Sequence, residues 1–233
     1  MSGDAGAWQA ALAGYELDGR QLEQLATVLD VLERDEHAPT AVRAPCEAVD
    51  AHLADSLVGL DIDAIRDAST IADLGAGAGF PGLALAVALP RARVNLIESQ
   101  RRKCEFLVRL TATAGIENAI VVCARAEQWG TGAEGNDAIV ARALAAQPVV
   151  LEYAAPLLRL GGTLVDWRGR RSEADERAAA AAAGMLGLRR LEIRRVEPFA
   201  GATDRHLHVF EKLERTPERF PRRAGMARKR PLA

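Results

Sequence analysis

Cysteine is scarce in this chain, and what there is has no pattern. Cys46, Cys104 and Cys123 are the only three. They cannot all pair, and their spacing matches no metal-ligand set. That excludes a disulfide framework and a zinc module, and predicts reduced thiols in the cytoplasm with no metal. Pro45-Cys46 reads as a turn with a buried thiol. Long apolar runs are also missing. The longest, near Gly82–Leu89 and Ala178–Leu188, are far shorter than the roughly 20 residues that cross a bilayer. Met1-Ser2-Gly3-Asp4 shows no basic stretch leading into an apolar core, so no export signal is expected. No strand signal precedes residue 70, and no internal repeat is visible.

What the chain does have is enough apolar material for a core. Its 233 residues are 49% hydrophobic, which suits a large α/β domain with appendages and needs no cross-link. The net charge of −2 hides a strong asymmetry. From Arg215 to the end, seven basic residues face one acid, so this tail carries +6 and residues 1–214 carry −8. An acidic body with a basic arm predicts a polyanionic partner.

Leu22, Leu25, Leu29 and Leu32 recur at helical spacing, as do Val49, Leu53, Leu57 and Leu60, with Pro39 and Pro45 breaking the stretch between. After residue 70 the pattern changes. Short apolar runs at Ile71–Leu74, Val94–Glu98, Ile120–Cys123, Ala138–Ala141 and Thr163–Trp167 are separated by gaps of helix size. That alternation predicts a parallel sheet covered by helices on both faces. Leu191–Val196 and His206–Glu211 follow with too short a loop for a crossover, so they are expected to pair antiparallel. The alanine run Ala178–Ala183 sits inside a helix starting near Ser172. The tail from Thr216, with Pro217, Pro221, Gly225 and Pro231, reads as extended or disordered when free. The division expected is a helical cap over 1–66, a nucleotide-binding domain over 67–213 and a basic tail over 214–233.

The strongest motif is Asp73-Leu74-Gly75-Ala76-Gly77-Ala78-Gly79-Phe80-Pro81-Gly82, which leaves a strand and opens a helix. Gly75 and Gly77 let the backbone turn and approach a ligand closely. Gly77-x-Gly79-x-x-Gly82 matches the dinucleotide fingerprint, so a nicotinamide-dependent oxidoreductase is one reading. The other is a loop that cradles the methionine part of S-adenosylmethionine. Asp73 suits an ammonium group, Phe80 occupies the place of a dinucleotide binder's third glycine, and the antiparallel ending fits the methyltransferase variant of the fold. Glu98, at the end of the second strand, can hold ribose hydroxyls of either cofactor. Arg125-Ala126-Glu127 follows the third strand. Glu127 can accept from an adenine amino group beside the Ala126 backbone, or can simply cap a surface helix.

These residues resemble the small-subunit ribosomal RNA guanine-N7 methyltransferases, historically called glucose-inhibited division protein B. Five marks carry the resemblance, in order from about Leu22 to Leu232: His52-x-x-Asp55-Ser56-Leu57, the loop Asp73–Gly82, Arg125-Ala126-Glu127, Ala141-Arg142-Ala143, and Phe220-Pro221-Arg222-Arg223-x-Gly225 ending in Lys229-Arg230-Pro231-Leu232. The resemblance implies a class I S-adenosylmethionine-dependent methyltransferase fold, a Rossmann-like, mostly parallel sheet with an antiparallel final strand. It also implies a guanine N7 in 16S ribosomal RNA, free or in the small subunit, as acceptor. It places cofactor contacts at Gly75, Phe80, Ala126, Glu127 and Arg142, beside the Asp73, Gly77 and Glu98 read from the loop and the strand end. The chain departs from the family pattern at Ala38-Pro39-Thr40, where members carry Asn-Leu-Thr, and at Arg168-Gly169, where members carry Lys-Gly. These departures keep open a third reading, a non-catalytic RNA-binding paralogue.

Other chemistries lack their marks. No Asn/Asp-Pro-Pro-aromatic stretch for amino-group methylation follows the fourth strand, and no Tyr-x-x-x-Lys serves hydride transfer. Guanine N7 already bears a lone pair, so no base is required and positioning can supply catalysis. Arg142 is the expected catalytic residue, through the nucleobase, the substrate phosphate or the methionine carboxylate. His52 and Asp55, three apart on one helix face, hydrogen-bond each other or orient the site, or else form a helix-packing pair. Arg168, Arg222, Arg223, Arg228, Lys229 and Arg230 are the expected RNA contacts. A chain cut after Glu214 is then expected to keep its cofactor and lose RNA affinity. A monomer acting in the cytoplasm is expected.

Overall fold

The computed structural model describes Trp8 and residues 11–232. The expectation made for Met1–Asp4 lies outside the described residues. A seven-stranded sheet in the order β3-β2-β1-β4-β5-β7-β6 forms the centre. Its strands are β1 (Thr70–Leu74), β2 (Arg93–Glu98), β3 (Ala119–Cys123), β4 (Asn136–Arg142), β5 (Leu158–Arg168), β6 (Leu188–Arg195) and β7 (His206–Lys212). The first five run parallel, and β7 enters between β5 and β6, antiparallel to both. This is the class I methyltransferase arrangement. It brings the C-terminal ends of β1, β2, β4 and β5 to one edge, where an open parallel sheet binds ligands.

The main helices are α1 (Gly19–Arg34), α2 (Gly82–Ala88), α3 (Arg101–Thr113), α4 (Gln147–Ala154), α5 (Glu173–Met185) and a last short turn, α6 (Met226–Lys229). Helix α1 starts on a reciprocal cap, in which Asp18 accepts from the Gln21 N–H at 2.8 Å and Gln21 Oε1 accepts from the Asp18 N–H at 2.7 Å. The Gln21 amide then donates to the Val87 carbonyl at 2.8 Å, fastening α1 to the end of α2. Its buried stripe, Leu25, Val28, Leu29 and Leu32, is the predicted one except that Leu22 is displaced by Val28. Ser172 caps α5 as expected.

The core lies on both faces of the sheet. One face packs α1, the helical turns around residues 45–66, α2 and α3 through Leu25, Leu53, Leu57, Leu83 and Leu107. The other packs α4, α5 and the C-terminal segment through Val150, Leu151, Ala179, Ala182 and Phe220. The described N-terminal helices thus share one continuous core with the sheet and contribute a wall to it.

Three expectations are corrected. The gap between β3 and β4 holds only two 3-10 turns, Ala126–Gln128 and Gly130–Gly132; Gly130, Gly132 and Gly135 deny it a stable helix. Cys46 is exposed, because Pro45 starts a short helix, Pro45–Ala48, that turns Ala48 inward instead. The tail is neither extended nor loose. Phe220 and Ala227 are buried against α4 and its neighbours, and Arg222 is drawn to a carboxylate hidden in α4, as described below. No helix among the described residues is long and apolar enough to cross a membrane.

Candidate active site

The loop between β1 and α2 is held from beneath. Asp73, with no exposed surface, accepts the Gly82 N–H at 2.8 Å. Glu98, also buried, accepts the Gly77 N–H at 3.2 Å and the Gln100 N–H at 2.8 Å. Both carboxylates therefore shape the loop. Asp73 sits buried below it, is not among the residues that line the cavity above, and keeps its Oδ1 without a hydrogen-bond partner among the described residues. Gly75 takes φ +72°, and a Cβ there would come within 2.5 Å of Leu144 Cδ1.

Burial pushes the Asp73 carboxyl up to about 7, against the Gly82 N–H and the Arg142 charge, which pull it down. Between about pH 4 and pH 7 the folded chain keeps a proton that the unfolded chain has released. This group therefore stabilises the fold at acid pH and withdraws that stability as pH rises. At roughly 1.4 kcal/mol per pKa unit, the effect amounts to a few kcal/mol. Asp73→Asn is expected to flatten the fall in stability over this window. Denaturant melts at several pH values check it, and parallel curves for the two proteins would place the proton elsewhere.

A cavity of about 420 Å³ opens above the loop at the sheet's C-terminal edge. Gly75, Ala126, Glu127, Leu144, Tyr153 and Arg228 are among the residues that line it, with Ile97, Ser99 and Gln100 on the β2 side. Backbone without a Cβ at Gly75, apolar walls at Ile97 and Leu144, and a carboxylate at Glu127 fit a nucleoside carrying a short charged chain. Of the sequence-predicted residues, Gly75, Ala126, Glu127 and Arg228 reach this cavity.

Arg142, His52, Asp55 and Phe80 come together on the other side of the β4 end. Arg142 Nη1 donates to Asp55 Oδ2 at 2.7 Å and to the Ala51 carbonyl at 2.8 Å, and its Nη2 approaches His52 Nδ1 at 3.4 Å. The guanidinium lies 5.8 Å from the centre of the Phe80 ring. That ring stacks on His52 with centroids 4.6 Å apart and planes 4° from parallel. His52 and Asp55 do not bond each other; both hold Arg142. His52 sits on a widened helical turn, Val49–Ala54, and its Nε2 reaches the Val42 carbonyl at 3.2 Å and Thr40 Oγ1 at 3.0 Å. A carbonyl only accepts, so Nε2 carries the proton and Nδ1 receives Arg142. Burial, then the Arg142 charge, lowers the His52 pKa and keeps the ring neutral.

Thr40, Val42 and Trp167 complete this cluster. The Trp167 indole donates to the Asp55 carbonyl at 2.7 Å, 112 residues away in the chain. Arg205 stands 3.3 Å from Asp55 Oδ1. Spacing could not have found these partners, although Thr40 is the member retained in the altered Ala38-Pro39-Thr40 stretch. Arg168 closes the β5 end. It donates to Asp166 Oδ2 at 2.7 Å and to the Ala145 carbonyl at 2.9 Å. In the tail, Arg222 is engaged by Glu152 of α4, while Arg223, Arg228, Lys229 and Arg230 are exposed.

Known proteins give this geometry its context. The family model GidB, described as rRNA small subunit methyltransferase G, matches residues 19–207. The ribosomal RNA small subunit methyltransferase G of Rubrobacter xylanophilus is 40% identical over 196 residues, 82% of this chain and 75% of that protein. Its counterpart from Alkaliphilus metalliredigens is 33% identical over 225 residues, 94% of each chain. Aeropyrum pernix fibrillarin, solved with natively bound S-adenosyl-L-methionine, superposes with a TM-score of 0.55 at 20% identity over 68% of this chain and 73% of that one. That likeness is one of fold. The family match sets aside the oxidoreductase and non-catalytic readings. With its loop, its strand order and this match over most of its length, the chain belongs to the rRNA small subunit methyltransferase G family of S-adenosylmethionine-dependent enzymes.

Proposed function

We propose that this chain methylates N7 of a guanine in 16S ribosomal RNA by holding the base against the cofactor, with Arg142 as the residue that fixes the geometry. The observation that carries this reading is the Arg142 cluster. It is a charged group at the β4 end, two residues before Leu144 of the cavity wall, and the basic atoms beside it, His52 Nδ1 and Asp55 Oδ2, are both turned onto its guanidinium. Bound in the cavity, S-adenosylmethionine supplies an electrophilic methyl group on a sulfonium. Gly75, Ala126 and Glu127 hold it, with Asp73, Gly77 and Glu98 shaping the loop and Phe80 bracing it. The N7 lone pair is ready to attack, so the protein must align and exclude rather than deprotonate. His52, neutral and committed through Nε2, acts with Asp55 as a positioning residue for Arg142.

RNA reaches this edge over Arg168 and the exposed Arg223, Lys229 and Arg230. A second hollow of about 340 Å³, lined by Arg170, Arg171, Arg195, Thr203, Asp204 and His206, opens beside Arg168; a phosphate there would share the arginines with Asp204, Glu176 and Glu197. The substrate supports action in the cytoplasm.

Mapping N7-methylguanine in 16S ribosomal RNA from cells with and without this protein tests the reading. The modification should vanish at one guanine and return with the purified protein and S-adenosylmethionine. An unchanged map would sink it. Titration with S-adenosylmethionine and with NADH should show binding of the first alone.

A further inference from the structure

The basic tail contains a group that no RNA arm needs. Glu152, in the middle of α4, has a side chain only 1% exposed. It lies among the apolar residues of the second core face. A carboxylate so placed requires a cation of matched geometry. Arg222 provides it. Its backbone N–H and its Nε donate to Glu152 Oε1 at 3.1 and 2.9 Å, and its Nη2 donates to Oε2 at 2.5 Å. The same Nη2 donates to the Arg230 carbonyl at 2.8 Å, so one guanidinium ties the tail to α4 and to itself. Phe220 and Ala227 seal the segment on either side of the turn.

The latch has a consequence for the cavity. The Gly225 N–H donates to Glu127 Oε1 at 3.0 Å, which leaves the other carboxylate oxygen of Glu127 for a ligand. Arg228 donates to the Leu144 carbonyl at 3.2 Å and forms part of the cavity wall on the Glu127 and Tyr153 side. Leu144, Glu127 and Tyr153 belong to three separate elements, and the tail touches or faces all of them.

We infer that the segment Phe220–Arg230 is a wall of the cofactor cavity, that Arg228 is a further S-adenosylmethionine-binding residue at its adenosine end, and that the buried Glu152–Arg222 pair positions it. The inference rests on the cavity being the S-adenosylmethionine site. It assigns Arg222 and Arg228 to the cofactor rather than to RNA. A chain cut after Glu214 would then lose cofactor affinity, contrary to the expectation from motif positions.

Calorimetry on the full chain tests it, with S-adenosylmethionine and 16S ribosomal RNA titrated separately. Arg228→Ala removes an exposed side chain, so its melting temperature without ligand should stay that of the wild type. Its S-adenosylmethionine affinity should fall by about tenfold. The double variant Glu152→Leu, Arg222→Leu removes the buried charges together and keeps the core filled. It should fold, raise KM for S-adenosylmethionine by about tenfold and leave kcat and RNA affinity nearly unchanged. A third readout needs no turnover. A wall segment docked by ligand opens less often to a protease, so free ligand at a hundred times its Kd should slow tryptic cleavage after Arg223, Arg228 and Lys229 by up to roughly a hundredfold. Normal ligand binding by the wild type, with unchanged affinity in Arg228→Ala and unprotected tail sites, would overturn the inference alone. Loss of RNA affinity with a flatter salt dependence, and no change toward S-adenosylmethionine, would restore the RNA arm in its place. Failure of the wild type itself to bind S-adenosylmethionine would overturn the cavity assignment and this inference with it.

Discussion

Arg142→Ala is expected to lower methyl transfer to the small subunit by at least about tenfold, equivalent to ~1.4 kcal/mol of transition-state stabilisation. It should also destabilise the fold. The Arg142 and Asp55 side chains are 17% and 9% exposed, and removing one partner of a buried pair costs about 3–5 kcal/mol. Arg205, 3.3 Å from the other Asp55 oxygen, will offset part of that loss. Arg142→Lys separates the two effects. An ammonium can meet Asp55, but it cannot at once span the Ala51 carbonyl, Asp55 and His52 as the planar guanidinium does. Stability should largely return with lysine while turnover does not. Turnover near normal in either variant, measured on folded protein, would make Arg142 a purely structural residue.

Gly75→Val is expected to weaken S-adenosylmethionine binding by roughly a hundredfold, about 2.7 kcal/mol. Two costs combine. At φ +72° a β-branched side chain is strained by about 1–2 kcal/mol. Its Cβ would also stand 2.5 Å from Leu144 Cδ1, and Leu144 lines the cavity. The damage is therefore indirect: valine displaces Leu144 rather than filling the methionine space itself. Gly77→Ala is the control. Its Cβ meets only the Gly75 carbonyl oxygen, at 3.6 Å, so it should lose less than about tenfold. Calorimetry on both variants, with circular dichroism to show they are folded, decides the matter. Equal losses at the two positions would mean that backbone strain matters and the Leu144 contact does not.

Legibility in the sequence followed the range of the interaction. The α1 stripe is local: Leu25, Leu29 and Leu32 repeat with the helix, and the Asp18–Gln21 cap lies three residues apart. The central strands β1, β2 and β4 were readable because each is a short apolar run that is largely buried, whereas β3 and β6 keep exposed positions. The missing helix between β3 and β4 escaped notice because a gap's length says little about what fills it. Cys46 was misplaced because one proline was read as a turn when it starts a helix. Arg142 was found through its neighbours in a motif. Phe80, His52 and Asp55 were named from motifs as well, but that the Phe80 ring stacks on His52 and that His52 and Asp55 both meet Arg142 could not be read from spacing.

The order of the strands and the glycine loop between β1 and α2 were determined by the sequence itself, since periodicity and backbone freedom act within a few residues. The roles of Glu152, Tyr153 and Arg222 were decided only by the tertiary structure. Glu152 sits in an ordinary apolar helix, and Arg222 sits seventy residues later in what reads as a solvated basic tail. Nothing local distinguishes a charge that will face water from one that will neutralise a buried carboxylate. The difference is the desolvation of Glu152, which arises only when α4 packs on the sheet and leaves the tail as the cation within reach.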